Sequence, residues 1–134
     1  MTGWIRNNVR EGIIKPVSMS AVPTVTRERI LNGVPGLAPQ RARITCAPKA
    51  QVARLQVNLQ TGDLIFFAST RKHLDVFHAG IIVCEGRDVL MRHASRGQGV
   101  VVEQKLAEFL KHNRMAGVIV VRPQEAIRVS APGK

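Results

Sequence analysis

Four short apolar segments, separated by turns, occupy residues 62–102. They are Leu64–Phe67, Phe77–Cys84, Val89–His93 and Val100–Val102. Each segment is rich in residues that favour strands, and Gly or another turn residue precedes or follows it. Runs of this length with turns between them are typical of consecutive strands in a small sheet. The pattern therefore predicts four strands, and this stretch holds three of the four histidines of the chain.

The dipeptide Glu85-Gly86 predicts the register of the second and third strands. If these two residues form the loop of a hairpin, His78 pairs with His93, and Gly80 pairs with Met91. Directly paired residues point to the same face, with Cβ atoms about 4.5–5.5 Å apart. A four-residue loop keeps this register, whereas a three-residue loop moves His93 to the other face. We expect two neighbouring imidazoles beside a gap at Gly80.

A histidine pair on apolar strands has three interpretations. The two rings can be satisfied core or edge residues, a catalytic pair, or metal ligands. A metal site needs a third ligand, and Asp75, Asp88 and Cys84 are the local candidates. Cys84 lies about 20 Å along its strand from His78, at 3.3 Å per residue. No compact ligand spacing is present, so we predict neither a metal site nor a cofactor.

Several motifs resemble those of a family of cell-wall enzymes. GDLIFF begins at residue 62, LDVFHAGI spans 74–81, and RHAS and GQGVVV follow it. The segment GVIVVRP lies at 117–123, and GWIRNN lies at 3–8. Together they resemble the N-acetylmuramoyl-L-alanine amidase-like family of unknown function, within the NlpC-type, papain-like cysteine peptidases. The resemblance covers roughly residues 3–123 and is most specific from residue 62 onward.

The resemblance implies an α+β fold with the β-half of a papain-like, NlpC-type enzyme. That half is a small antiparallel sheet or partly open barrel with flanking helices. Residues 1–123 would form a single domain, and 124–134 a loose tail. The implied activity is hydrolysis of an amide bond in peptidoglycan stem peptides. His78 matches the general base of the family, and His93 matches the group that orients this base. With a cysteine nucleophile they would form a catalytic triad.

The nucleophile is the point at which the sequence departs from the family. The family's cysteine lies at a helix start, before the stretch that GWIRNN resembles, so we expect the chain as given to lack it and to be inactive. Cys46 is the alternative nucleophile, because residues 48–59 predict a helix and a thiol at a helix N-terminus has a lowered pKa. However, TCAPKA lacks the family's cysteine motif. A buried or incidental thiol is the other interpretation of Cys46.

Three further residues are candidates for shaping the site. Asp75 lies in the loop before His78, Gly80 lies in the same predicted strand, and Ser95 follows His93 and Ala94. Asp and Ser also form turns through side-chain hydrogen bonds to the backbone. Asp75 and Ser95 therefore have a turn interpretation beside the functional one.

The chain is strongly basic, with 20 Lys and Arg against 9 Asp and Glu and a net charge of +11. This charge favours anionic partners, which here are peptidoglycan peptides or another anionic polymer. A noncatalytic basic binding module for nucleic acid or such a polymer is the alternative function. Nucleic acid is disfavoured, because no basic helix stripe with interleaved aromatic residues is present. A solvated basic surface is the interpretation of the charge that we favour.

The remaining elements complete a chain of one domain's length. Predicted helices cover 2–10, 48–59 and 103–112, predicted strands cover 13–17, 22–31 and 117–121, and a loop covers 32–40. No apolar stretch is long enough to span a membrane, and no signal peptide is visible. The resembled family acts in the periplasm or outside the cell, and the sequence leaves the location of this chain open.

Overall fold

The computed structural model describes residues 1–17, 23–33 and 35–125, and these form an α+β fold. The described residues contain three α-helices: α1 (Thr2–Arg10), α2 (Val52–Leu55) and α3 (Leu106–His112). They also contain eight strands: β1 (Ile14–Pro16), β2 (Val25–Leu31), β3 (Gln40–Cys46), β4 (Leu64–Ala68), β5 (Val76–Glu85), β6 (Asp88–Ser95), β7 (Val100–Lys105) and β8 (Gly117–Pro123). No helix in these ranges has the length and apolar character needed to cross a membrane.

Six strands form one antiparallel sheet in the order β1-β8-β4-β5-β6-β7. Strands β4 to β7 follow one another as hairpins, and β8 returns after α3 to pair with β4. Strands β2 and β3 form a separate hairpin. Within the described residues the large sheet stays open, with β1 and β7 at its edges, and no closed barrel forms. The predicted α+β class and the small antiparallel sheet are confirmed.

The core lies on both faces of β4. Ile65 and Phe67 point to the face that α2 and α3 cover, where they pack with Ile82 and Met91. Phe66 points the other way, toward α1. Side chains alternate across a strand, so a strand buried on both faces is a continuous apolar run, as Leu64–Phe67 is. Fully burying a side chain such as Phe67 contributes about 1.5–3 kcal/mol.

The observed β5–β6 register differs from the predicted one by two residues. Glu85 pairs with Asp88, and Ile82 pairs with Met91. The two loop residues are therefore Gly86 and Arg87. Gly86 has a φ of 59°, which suits a glycine at the first central position of a tight hairpin turn. A shift of two residues moves the pairs along the strand but keeps every side chain on its predicted face.

The N-terminal half differs more from the prediction. The helix predicted for 2–10 is confirmed, and β3 was not predicted at all. The predicted helix 48–59 is only the four-residue α2 between 3₁₀ turns at Lys49–Gln51 and Gln56–Asn58. Pro23 begins the described part of the predicted strand 22–31, and that strand starts at Val25. Most of the predicted tail, 126–134, lies outside the described residues.

The C-terminal elements are shifted rather than replaced. Strand β7 continues to Lys105, three residues beyond its predicted end, and α3 begins at Leu106 instead of residue 103. The closing strand is confirmed, and it ends at Pro123. The extra length of β7 adds Gln104 to the sheet.

Gly117 allows a close approach between β8 and the chain just after β3. A Cβ at this position would lie 2.7 Å from the Cys46 sulfur and would overlap the Ala47 carbonyl group. Both neighbours are fully buried and Ala47 pairs with Val118, so they have no room to move.

Gly117→Ala should therefore destabilise the fold by about 2 kcal/mol or more, since overpacking a buried contact costs this much. Urea unfolding followed by circular dichroism measures the loss. Gly97→Ala is the matched control, because a Cβ there meets open space, and it should change stability by less than about 1 kcal/mol. Equal stabilities for the two variants would contradict the close approach.

Candidate active site

His78 and His93 lie on the same face of the sheet and contact each other. His78 is on β5 and His93 is on the neighbouring strand β6. Nε2 of His78 lies 2.8 Å from Nδ1 of His93. The ring centroids are 4.9 Å apart and the planes are nearly perpendicular, at 85°. The predicted contact between the two imidazoles is confirmed, although the rings meet diagonally rather than as a direct pair.

Gln104 on β7 extends this contact to a third strand. Its side-chain oxygen Oε1 lies 2.7 Å from Nε2 of His93. Sequence reasoning missed this residue, because the predicted strand stopped at Val102. No apolar alternation marked it, because Glu103, Gln104 and Lys105 are all polar.

Two phenylalanines hold the imidazoles. The Phe109 ring, on α3, has its centroid 5.3 Å from each imidazole and is nearly parallel to that of His78. Phe67 on β4 packs against Phe109 at 4.5 Å and against His78 at 6.2 Å. Aromatic packing on several sides restricts ring rotation, so the helix after the sheet fixes the geometry of the histidine pair.

The histidines line a cleft of roughly 930 Å³. Three arginines also line it: Arg71, Arg96 and Arg114. No Asp or Glu is among its described lining residues. A cleft whose charged lining residues are arginines attracts anionic ligands.

The pKa of His78 lies below the usual value for histidine. Burial is the main cause, because it disfavours the charged imidazolium, and repulsion from His93 and Arg96 adds to it. The neutral form, which is the form that accepts a proton, is therefore favoured near neutral pH. This is the state that a general base requires.

Cys46 lies apart from the cleft. It is the last residue of β3, it is fully buried, and it packs with Ile44 and Ala68. Burial raises the pKa of its thiol, and nearby arginines offset this only in part. It is not among the residues that line the cleft. The structure agrees with the buried-thiol interpretation of Cys46. The low-pKa alternative is wrong, because α2 starts only at Val52 and the thiol is enclosed in the core.

Cys84 is also remote from the histidines. Its sulfur lies 3.6 Å from the Leu59 carbonyl oxygen, near the hairpin end of β5. Among the described residues, no group of three His, Cys, Asp or Glu side chains lies close enough to hold a metal ion.

Asp75 binds the start of helix α1 and does not line the cleft. Its carboxylate accepts hydrogen bonds from the Thr2 backbone N–H at 2.7 Å and from the Val76 N–H at 2.8 Å. The Met1 amino group lies 2.9 Å from it. Burial alone would raise the pKa of Asp75, but these hydrogen bonds and the amino charge lower it to about 2. Asp75 is absent from the cleft lining, so its effect on the site is indirect.

Gly80 and Ser95 flank the pair. A Cβ on Gly80 would lie 2.6 Å from the Met91 side chain, so Gly80 makes room for the core beside the histidines. Ser95 lines the cleft, and its hydroxyl oxygen accepts a hydrogen bond from the Gln98 N–H at 3.3 Å. The turn interpretation of Ser95 is confirmed.

A sequence model of the AmiA-like family, described as N-acetylmuramoyl-L-alanine amidase-like, matches residues 1–118. This match covers most of the 134 residues. The chain belongs to the AmiA-like family. The family expected from the sequence motifs is thereby confirmed.

Solved structures share the fold of the AmiA-like chain. An N-acetylmuramoyl-L-alanine amidase from Bacteroides uniformis has a TM-score of 0.71 and 24% identity, over 91% of this chain and 62% of its own. A protein from Legionella pneumophila has a TM-score of 0.74 and 14% identity, over 90% and 59%. A candidate xylanase from Bacteroides fragilis has a TM-score of 0.68 and 23% identity, over 89% and 63%.

The AmiA-like chain spans less than two thirds of the length of these structures. At identities below 25% the likeness shows a common fold. Among functionally curated proteins, none matches this chain.

Replacing Asp75 by Asn should destabilise the fold of the 134-residue chain at neutral pH. Because folding lowers the pKa of Asp75 from 3.8 to about 2, the carboxylate contributes stability above pH 3.8 and loses it as the pH falls toward 2. We expect a loss on the order of 1 kcal/mol at pH 7 after solvent screening. Urea unfolding of the wild type and Asp75→Asn should converge in acid. Asp88→Asn, at the exposed hairpin end, is the control and should differ from the wild type by less than about 0.5 kcal/mol.

Replacing Arg96 by Gln should raise the pKa of His78, because one source of repulsion is removed. An NMR titration of the His78 ring signals measures this, and added salt should reduce the difference through screening. Arg87→Gln, in the hairpin turn, is the control and should leave the titration unchanged. The same midpoint in Arg96→Gln and the wild type would show that Arg96 does not act on His78.

Proposed function

We propose that the chain is the histidine-bearing part of a cell-wall cysteine amidase with an NlpC-type, papain-like site. Its reaction would be hydrolysis of an amide bond in a peptidoglycan stem peptide. The contact between His78 and His93 at 2.8 Å, in the wall of an open cleft, carries this proposal. A buried pair with a purely structural role would not need access to a cleft.

In the proposed mechanism His78 takes the proton of a cysteine thiol, and the thiolate attacks the amide carbonyl carbon. The C–N bond breaks and His78 returns the proton to the leaving amine. Water then hydrolyses the thioester, with His78 as the base. His93 holds the imidazole of His78 in place throughout, which is the role of the third member in cysteine and serine triads.

The thiol is proposed to come from outside these 134 residues. Cys46 is fully buried in the core, with its thiol pKa raised. Cys84 lies six residues along β5 from His78, about 20 Å at 3.3 Å per residue. A catalytic thiol must come within hydrogen-bond reach of its base, and neither cysteine lines the cleft.

The charge of the cleft supports an anionic substrate. Stem peptides carry carboxylates, and arginine binds carboxylates through paired N–H donors. Arg71, Arg96 and Arg114 all line the cleft. We propose the cell wall as the place of action, since that is where such a substrate occurs.

The natural protein that contains this sequence tests the proposal. It should release the free amine or peptide expected from cleavage of defined muropeptides, measured by chromatography. His78→Ala should lower kcat/KM by about 10²–10⁴-fold, the usual contribution of a general base, and His93→Ala should also lower it. His73→Ala is the control, because His73 is exposed and bonds the Ile30 carbonyl outside the cleft, and it should retain activity. Full activity of His78→Ala would refute the proposal.

The isolated 134-residue chain should not hydrolyse muropeptides, and Cys46→Ser should change nothing. Hydrolysis by this chain that disappears in both Cys46→Ser and His78→Ala would instead make Cys46 the nucleophile. Tight, sequence-selective DNA binding at physiological salt would favour the noncatalytic binding module. We expect weak DNA retention that falls steeply with salt.

A further inference from the structure

The side chain of Gln104 faces Nε2 of His93. Its Oε1 is 2.7 Å from Nε2 of His93. An amide oxygen accepts hydrogen bonds and cannot donate one, so Nε2 of His93 carries the proton of this bond.

The second histidine follows from the first. Neutral imidazole carries one proton, so Nδ1 of His93 is left with a lone pair. That nitrogen lies 2.8 Å from Nε2 of His78. The bond between them therefore needs a proton on Nε2 of His78, which donates to His93.

This arrangement leaves Nδ1 of His78 as the basic atom. Among the described residues Nδ1 has no hydrogen-bond partner. His78 is half-buried and lines the cleft. This leaves Nδ1 as the ring nitrogen of His78 for a ligand in the cleft.

We infer that Gln104 is a positioning residue that, through His93, keeps the free lone pair of His78 on Nδ1 at the cleft. This inference extends the proposed function, and its catalytic consequence rests on that proposal. A base with its proton on the cleft side could not accept one from a thiol. The hydrogen-bond direction itself is a property of the folded chain and requires no substrate.

An amide suits this role better than a carboxylate. A carboxylate would favour the charged form of His93 and place a full positive charge beside His78. The groups that line the cleft already include Arg71, Arg96, Arg114 and His112. Glu103 lies on the opposite face of β7, paired with Arg92. A neutral acceptor orients His93 without adding charge to this surface.

Nitrogen NMR of the ¹⁵N-labelled chain tests the inference at about pH 8, where histidine is neutral. Long-range ¹H–¹⁵N correlation distinguishes a protonated ring nitrogen from one with a lone pair. In the wild type we expect protonated Nε2 and unprotonated Nδ1 in both His78 and His93. A coupling across the hydrogen bond between Nε2 of His78 and Nδ1 of His93 should be visible.

Gln104→Leu removes the acceptor, and the slowly exchanging N–H signal of His93 should be lost. The cross-hydrogen-bond coupling should weaken with it. Gln104→Glu restores an acceptor and should restore the N–H signal of His93. Gln98→Leu, in the exposed turn before β7, is the matched control and should leave them unchanged. His73, whose Nδ1 lies 3.1 Å from the Ile30 carbonyl oxygen, serves as an internal reference for folding.

Either of two results would overturn the inference. The first is a wild-type spectrum with the protons on Nδ1 of His78 and His93. The second is unchanged His78 and His93 signals in a folded Gln104→Leu variant. Failure of muropeptide hydrolysis with the expected tautomers intact would count against the proposed function alone.

Discussion

Pairing between β5, β6 and β7 places the three hydrogen-bonded side chains of the site. His78, His93 and Gln104 each come from a different one of these strands. Neighbouring strands lie about 4.8 Å apart, and side chains on one face point the same way. Imidazole and amide side chains are long enough to bridge that spacing with a hydrogen bond. A chain of hydrogen bonds perpendicular to the strands is the result.

Helix α3, which covers this face of the sheet, fixes the orientation of the rings in this chain of hydrogen bonds. Strands alone leave the rings free to rotate about χ2, but Phe109 on α3 contacts both imidazoles. Leu106 and Leu110 of the same helix are buried in the core. The hydrophobic packing that stabilises the sheet therefore also restricts the candidate catalytic groups. Burial has a further effect, since it lowers the pKa of His78.

The strands of the hairpin and the histidine contact were both predicted from the sequence. The contact depends on whether the hairpin loop has an even or an odd number of residues, and not on the exact register. His78 and His93 share a face for any hairpin loop with an even number of residues, so an error of two residues left their contact intact. Gln104 depended on the end of β7, and element ends are the least certain feature of a sequence prediction. Residues 48–59 have the apolar period of a helix, but in the structure they form a four-residue helix between two 3₁₀ turns.

Strand β3 was missed although its sequence carries a strand signal. Polar and apolar side chains alternate from Arg41 to Cys46, with the arginines exposed and Ile44 and Cys46 buried. The partner of this strand, β2, depends on the tertiary fold. The buried state of Cys46 is likewise a tertiary effect, because Gly117 and Ala68 enclose the sulfur.

Strand β7 lies at the free edge of the sheet, with its outer backbone groups unpaired in the described structure. Edge strands open with a smaller free energy than central ones, without global unfolding. Because β7 carries Gln104, such fraying would release His93 from its outer partner while the core remained folded. The order of the candidate site and the stability of the domain can therefore vary independently. A ligand that binds β7 and holds it against β6 would increase the order of the site without changing the stability of the core.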